Sequence, residues 1–457
     1  MTQSNPGSSE SGGVPRREPP KFDPSAAHQQ KPRLRPVRGF GAQIEGRQAL
    51  GLADARQISD RVVFVPPAAQ LIFPHMTGER TLDEIASAVG HGLTREILEG
   101  LVAQLDEAGL LYGPTFDAML AKMRAEFDSS PVLPPAATAA FIDAVLGQEL
   151  GDKATEEERA AKAPGRLRAL MDQWIDQALS KAEDPAFDAL PRAIIAPHLD
   201  YGRGCFNYAS AWGRMRVVER PDRVVILGTN HFGEGTGVVG CDKGYQTALG
   251  TCEADAELIE LLRGALGEPL FRHRYDHERE HSIELQIPWI QHCLGADESG
   301  RFPRVFGALV HDPAVNNGES YDGKGVALMP FVEAMRVALE RLGGRTLVVA
   351  SADLSHVGPM FGDQVKTLAG EEPEAVEARN RVFQHDREMV DLIRQNKPEE
   401  LIAAMAWQQN PTRWCSTGNL TAAMLITRPE SVKVLNYVAA MDEQGLGMVS
   451  SIAGAMF

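Results

Sequence analysis

The sequence predicts an α/β fold: a central, mostly parallel sheet flanked by helices, with a small winged-helix-like domain ahead of it. Two observations carry the main part. AIIA (193–196), RVVILG (223–228) and TLVVASADLSH (346–356) are short, β-branched and almost uncharged over their strand-like parts. Runs of this kind read as strands buried on both faces, as in parallel sheets. Each also stops at small or turn-forming residues followed by a histidine: His198, His231 and, beyond Asp353, His356. Between the first two lies Gly204 to Val217, with Phe206, Tyr208, Ala211, Trp212 and Met215 as its larger apolar residues, suited to a crossover helix. Open α/β sheets hold their ligands just past the carboxyl ends of such strands. A single strand-end histidine is ordinarily a capped, hydrogen-bonded polar residue. Three of them with an aspartate exceed what packing requires, so His198, His231 and His356 are expected to converge at one sheet edge.

With 457 residues, 43% of them hydrophobic, the chain is long enough for two or three domains with a real core. Its net charge of −16 is uneven, because residues 1–40 hold seven Lys/Arg against three Asp/Glu. The acidic remainder argues against nucleic-acid binding, which needs a basic surface. No apolar stretch approaches the roughly 18 residues that span a bilayer, so no membrane association is expected. The first residues lack the apolar region of a secretory signal. Five cysteines in irregular spacing read as reduced thiols. A cytoplasmic location is the expectation.

Four segments follow from a pass along the chain. Residues 1–39, rich in Pro, Ser and Gly, are expected to be a disordered tail ending in the loose basic run Lys31, Arg33, Arg35 and Arg38. Residues 40–113 read as the small domain. In it RVVFV (61–65) is a strand, and Thr81-Leu-Asp-Glu84 is a capping box starting one helix. A second helix from Thr94 sets Ile97, Leu98, Leu101, Val102 and Leu105 on one face and stops at Gly109. Helix, turn, helix and then LLY is a winged-helix-like pattern, yet residues 81–113 carry six acids and one arginine, which disfavours DNA. Residues 114–190 read as a helical connector with a break at Pro164-Gly165, and residues 191–457 as the α/β domain.

Two pattern matches are decoys. Gly235-x-Gly237-x-x-Gly240 fits a dinucleotide fingerprint, but CDKGYQTALG after it is not the helix that fingerprint requires. His277-Glu278-Arg-Glu280-His281 fits the HExxH zinc signature of a hydrolase. A helix there would have only Tyr275 to bury, and the apolar stripe (Ile283, Ile287, Ile290, Leu294) begins after it. His277 is therefore expected to be exposed and His281 to point into the pocket.

Seven blocks in order, AIIAPHLDY, RVVILGTNHFG, TALG, EHSIELQIPW, VVASADLSHVG, CSTGNLTAAML and VSSIAGAM, make the body of the chain resemble the Memo family. Within that family the chain resembles the AmmeMemoRadiSam system protein B-like proteins, found in genomic association with radical-SAM proteins. Such a system is thus an implied partner. The family is similar to the class III extradiol dioxygenases, and that likeness implies their α/β scaffold and a non-haem iron redox chemistry. It also implies a metal site of His198, His231 and Cys415, with Fe(II) first and copper or zinc as competitors. By its own surroundings Cys415 reads either as a small buried core residue or as a ligand, and the resemblance selects the ligand. His281, Glu284, Asp353 and His356 match further family positions. His356 suits proton transfer, His281 and Glu284 suit positioning of the ligands, and Asp353 could also be a helix cap. Residues 40–113 resemble the PqqD-like domains through TLDEIA and the GLL ending.

Two departures limit what carries over. Leu199-Asp200 stands where the family has small residues, and Phe232 where a second histidine is frequent. The expected function is a non-haem iron, dioxygenase-like oxidoreductase acting on a small molecule or a peptide. The alternative is a non-catalytic binding module on the same fold.

Overall fold

A computed structural model describes residues 19–44, 46–151 and 154–457. The chain forms two compact units, the first ending at Glu126 and the second running from Phe127 to Phe457.

In the first unit the strands Val37–Ile44, Arg47–Asp54 and Val62–Val65 make an antiparallel sheet. Thr81 and Glu84 form the expected capping box before helix Leu82–Val89, and Thr94 caps helix Arg95–Glu107. Leu82, Ile85, Leu98, Val102 and Leu105 fill the core. Ile97 does not join them; it is 56% exposed. Within the described residues of the first unit no strand follows the second helix, and Leu111 makes only an isolated bridge to Leu34.

The expected tail is shorter than its composition suggested. Residues 1–18 lie outside the described residues, but Ala27–Gln30 is helical and Val37 opens the first strand. Arg35, read as part of a solvated basic run, is buried. Its guanidinium donates to Asp54 at 3.0 and 3.1 Å and to the Gly109 carbonyl at 2.7 Å. Burying a charge is costly unless it is paired and hydrogen-bonded in this way.

The second unit is built on a mixed sheet. Its four central strands, in spatial order Ala193–Ala196, Thr346–Ser351, Arg223–Gly228 and Arg304–Leu309, are mutually parallel. Antiparallel strands extend it on both sides: Val239–Gly240 beyond 304–309, and Met448–Met456 beyond 193–196. The last of these also pairs with Asp353–Val357 and Val432–Met441. TLVVASADLSH is therefore two strands, broken at Ala352, and His356 belongs to the antiparallel one.

Alternate residues of the parallel strands enter opposite layers, as the two-residue repeat of a strand requires. Ile194, Val224, Ile226 and Val349 face a layer holding Leu146, Leu167, Met171, Ile175 and Trp212. Ala193, Ile195, Val225, Leu227 and Val348 face a layer holding Leu262, Phe331, Leu401 and Leu420. The segment expected as a connector thus supplies part of one of the two helical layers. Its long helix, Glu156–Leu179, runs unbroken through Pro164. A proline inside a helix costs about 3 kcal/mol. Here Ala163, Leu167, Met171 and Ile175 repeat at four-residue spacing on the buried face and outweigh it.

Candidate metal centre

The strand Ala193–Ala196 delivers His198, and Asp200 turns the chain at once into helix Tyr201–Trp212 by accepting from the Arg203 N–H at 3.2 Å. His198 is 1% exposed. Its Nδ1–H donates to the Ser351 carbonyl at 3.0 Å, so Nε2 carries the lone pair. That lone pair faces Cys415 Sγ at 3.3 Å and lies 3.7 Å from Asp353 Oδ2. Burial, with His231 and His281 nearby, holds its pKa well below the usual value, and the ring is neutral.

His231 follows the next parallel strand. Its backbone N–H and its Nδ1–H both donate to Glu280, at 2.8 Å and 3.0 Å, which leaves Nε2 as the nitrogen that a metal would take once its proton is lost. Burial opposes charging this ring, but Glu280 and the Cys415 sulfur overcome it and raise the pKa well above the ordinary value. Glu280 is itself fully buried as a side chain. Burial opposes its ionisation, and His231 and His281 reverse that, bringing it down to about 2.

Cys415 arrives from a loop fixed on several sides. Asn410 accepts from the Trp414 N–H at 2.7 Å, and Thr229 Oγ1–H donates to the Cys415 carbonyl at 3.0 Å. Asn419 reaches back to the Ser351 carbonyl at 2.7 Å. Only glycine fits at Gly418, where a Cβ would lie 2.2 Å from the His311 carbonyl oxygen. The other four thiols are buried. Burial raises Cys205 and pushes Cys241, Cys252 and Cys293 up to about 12, so they stay protonated.

The donor atoms of His198, His231 and Cys415 all lie within 4.8 Å of one another. Ligands at about 2.0–2.3 Å from a common ion stand roughly 3–4 Å apart, so contraction of about an ångström suffices. Two imidazoles with their Nδ1 protons anchored, and one sulfur, form a donor set that fits a metal ion.

The remaining expected residues divide. His281 lines the site: its ring stacks on His231 at 4.8 Å and lies edge-on to His198 at 5.7 Å. Asp353 accepts from the His198 backbone N–H at 3.1 Å, and burial raises its carboxyl to about 7. His356 is brought down to about 4 by burial, with the charge of His231 adding to the effect. Its Nδ1–H faces the Leu354 and Arg413 carbonyls at 3.0 and 3.2 Å. Glu284 turns elsewhere, accepting from the N–H groups of Ala136, Ala137 and Thr138 and so capping helix Ala137–Leu150. Phe232 packs 5.8 Å from His231 and 5.9 Å from His281.

His277 is buried rather than exposed, between the Val239 carbonyl at 3.1 Å and Tyr245 Oη at 3.2 Å. It shares no donor cluster with His281 among the described residues, which removes the HExxH reading. Glu280 is the site residue that sequence reasoning overlooked, although it opens the block EHSIELQIPW. A fourth strand-end histidine, His311, went unremarked. It contacts the Gly318 carbonyl at 3.2 Å and joins no donor cluster among the described residues.

Residues 161–455 match the family model described as Memo-like protein. A MEMO1 family protein of Thermus thermophilus is 26% identical over 380 residues, which cover 81% of this chain and 98% of that protein. One from Aquifex aeolicus is 23% identical over 389 residues, covering 84% and 87%. The protein memo-1 homolog of Caenorhabditis elegans is 30% identical over 210 residues, covering 45% and 55%. No helix of the described residues is long and apolar enough to cross a membrane.

Proposed function

The chain belongs to the Memo-like protein family, and from that premise we propose that it is a metal-dependent redox protein, an oxidoreductase of the non-haem iron, dioxygenase-like kind. The observation that supports this reading is the cluster of His198, His231 and Cys415 donors within 4.8 Å. These residues would hold the metal, Fe(II) first and copper or zinc as competitors. When bound, Fe(II) with two imidazoles and one anion retains open positions at which substrate and dioxygen can meet.

The protein's own groups do the rest. Ser351 and Glu280 fix the two imidazoles in the tautomer that presents Nε2. His356, neutral and with Nδ1 anchored, offers Nε2 as a base near neutral pH. Asp353, its carboxyl raised to about 7 by burial, can take or return a proton at Oδ2, and His281 is the second candidate. Phe232 packs beside His231 on one side of the donors.

The test is dioxygen uptake by anaerobically purified, iron-loaded protein offered small-molecule and peptide substrates. Uptake that requires iron and is abolished in His198→Ala supports an oxygenase. Stoichiometric iron without uptake under any substrate would replace the enzyme reading with that of a binding module.

A further inference from the structure

The loop after the His356 strand, helix Pro373–Arg394 and residues 408–412 enclose a cavity of about 470 Å³ that none of the metal donors lines. His385 forms part of its wall, is 6% exposed, and makes no hydrogen bond through Nε2. Buried polar atoms in folded proteins are almost always paired, so this nitrogen calls for a partner.

Its chemical character follows from the network behind it. Asp386 is buried and receives Ser355 at 2.5 Å, Trp414 Nε1 at 2.8 Å, Tyr437 at 2.7 Å and Ser450 at 2.5 Å. A carboxyl facing four donors accepts from all of them. The single Ser355 proton is therefore committed to Asp386. The 2.7 Å contact between Ser355 and Thr412 then requires the Thr412 proton. The 2.9 Å contact between Thr412 and His385 Nδ1 requires in turn the proton on Nδ1. Any other order leaves two lone pairs facing each other. Burial keeps this imidazole neutral by lowering its pKa. His385 is thus a wall residue whose buried Nε2 carries a lone pair, an acceptor without a donor.

The rim supplies the charge. Asp363 is paired with Arg413 at 2.6 Å, and Arg381 with Glu377 at 3.1 Å. Glu374 and Glu388 remain without an ion-pair partner among the described residues, and Leu368 and Val382 give the cavity an apolar side. We propose that this cavity is a second ligand site, which binds a small alkylammonium group by an N–H donated to His385 Nε2, with Glu374 and Glu388 balancing its charge. The site is independent of the metal reading.

The experiment titrates full-length protein carrying ¹⁵N-labelled histidine with butylamine at neutral pH, and follows the ring nitrogens of His385 alongside calorimetry. Tetramethylammonium, a cation without N–H, and butyrate, an anion, are the controls. Butylamine should shift His385 Nε2 saturably while both controls leave it unmoved. His385→Phe should weaken binding by about tenfold or more, the scale of a lost charge-assisted hydrogen bond. The exposed pair Glu374→Gln with Glu388→Gln should weaken it about fivefold, and this arm decides even if the buried variant does not fold. An unmoved His385, equal response to either control, or full affinity in the double glutamine variant would overturn the proposal.

Discussion

Replacing Cys415 by serine removes a soft anion at nearly constant volume, and the account predicts that metal loading falls at least 100-fold, beyond the roughly 10- to 100-fold seen when only a supporting residue is lost. Cys415→Asp should restore part of the Fe(II) affinity, since a carboxylate recreates a two-histidine, one-carboxylate ligand set. The same changes at Cys293, buried and protonated, should leave metal content alone. Glu280→Gln should cost about 10- to 100-fold in metal affinity by loosening the His231 anchor, read by metal titration. Because the free His231 is held protonated by Glu280 and Cys415, binding must displace a proton, and affinity should rise with pH. His356 gives a separate signature in the metal-free protein. Its folded pKa of about 4 lies below the ordinary 6.5, so the unfolded chain binds the extra proton first. Its contribution to stability is complete above about pH 6.5 and is lost as pH falls through about 4. His356→Gln should flatten that part of a urea-midpoint profile. The approach of His198 and His231 to one another was legible in the sequence, because strand-end placement singles them out, whereas Cys415, which clusters with them, was reached only through the family resemblance. Glu280 was not legible, since its role depends on a carboxylate folding back across 49 residues to reach the ring it anchors. Glu284 shows the converse, a residue in a matching block whose carboxylate caps a helix instead.

At the level of elements, the buried strands were readable because a run such as AIIA or RVVILG has no polar face to offer solvent. Their continuation was less so. Nothing in TLVVASADLSH marks Ala352 as the point where one strand ends and an antiparallel one begins; that break is imposed by pairing with Met448–Met456. The helix through Pro164 escaped for a similar reason, since local propensity argues for a break and only the packed face of Ala163, Leu167, Met171 and Ile175 sustains it. Pro164→Ala should therefore stabilise the protein by about 1–3 kcal/mol, visible as a raised urea midpoint. Gly418→Ala should do the opposite. Its Cβ would press on the His311 carbonyl, costing about 1–3 kcal/mol and displacing the loop that carries Cys415, so metal content should fall with stability. Gly264→Ala is the control, because a Cβ there meets nothing within 4 Å. It should be neutral or slightly stabilising.

For the molecule as a whole, the two compact units each have a core of their own, and the family match lies within the second. The helices Ala137–Leu150 and Glu156–Leu179 form part of the core beside the sheet. A fragment of residues 127–457 should fold and bind metal as the full chain does. One of residues 191–457, cut where composition alone would set the boundary, should expose the face that Leu146, Leu167, Met171 and Ile175 cover. It should aggregate or unfold at lower urea. Circular dichroism and metal content of the two fragments distinguish these outcomes. Residues 114–190 read as a connector in the sequence because they carry no site residue and a proline-glycine pair, which are features of a linker until packing is considered.

The central claim is that Cys415 closes the His198–His231 site as its anionic ligand. X-ray absorption at the iron edge of protein loaded anaerobically with Fe(II) tests it most directly. The account predicts a sulfur scatterer at about 2.3 Å, the usual metal–thiolate range, together with imidazole shells, and the loss of that sulfur in Cys415→Ser. A first shell of nitrogen and oxygen alone in the unmodified protein, or an unchanged sulfur shell in Cys415→Ser, would contradict it.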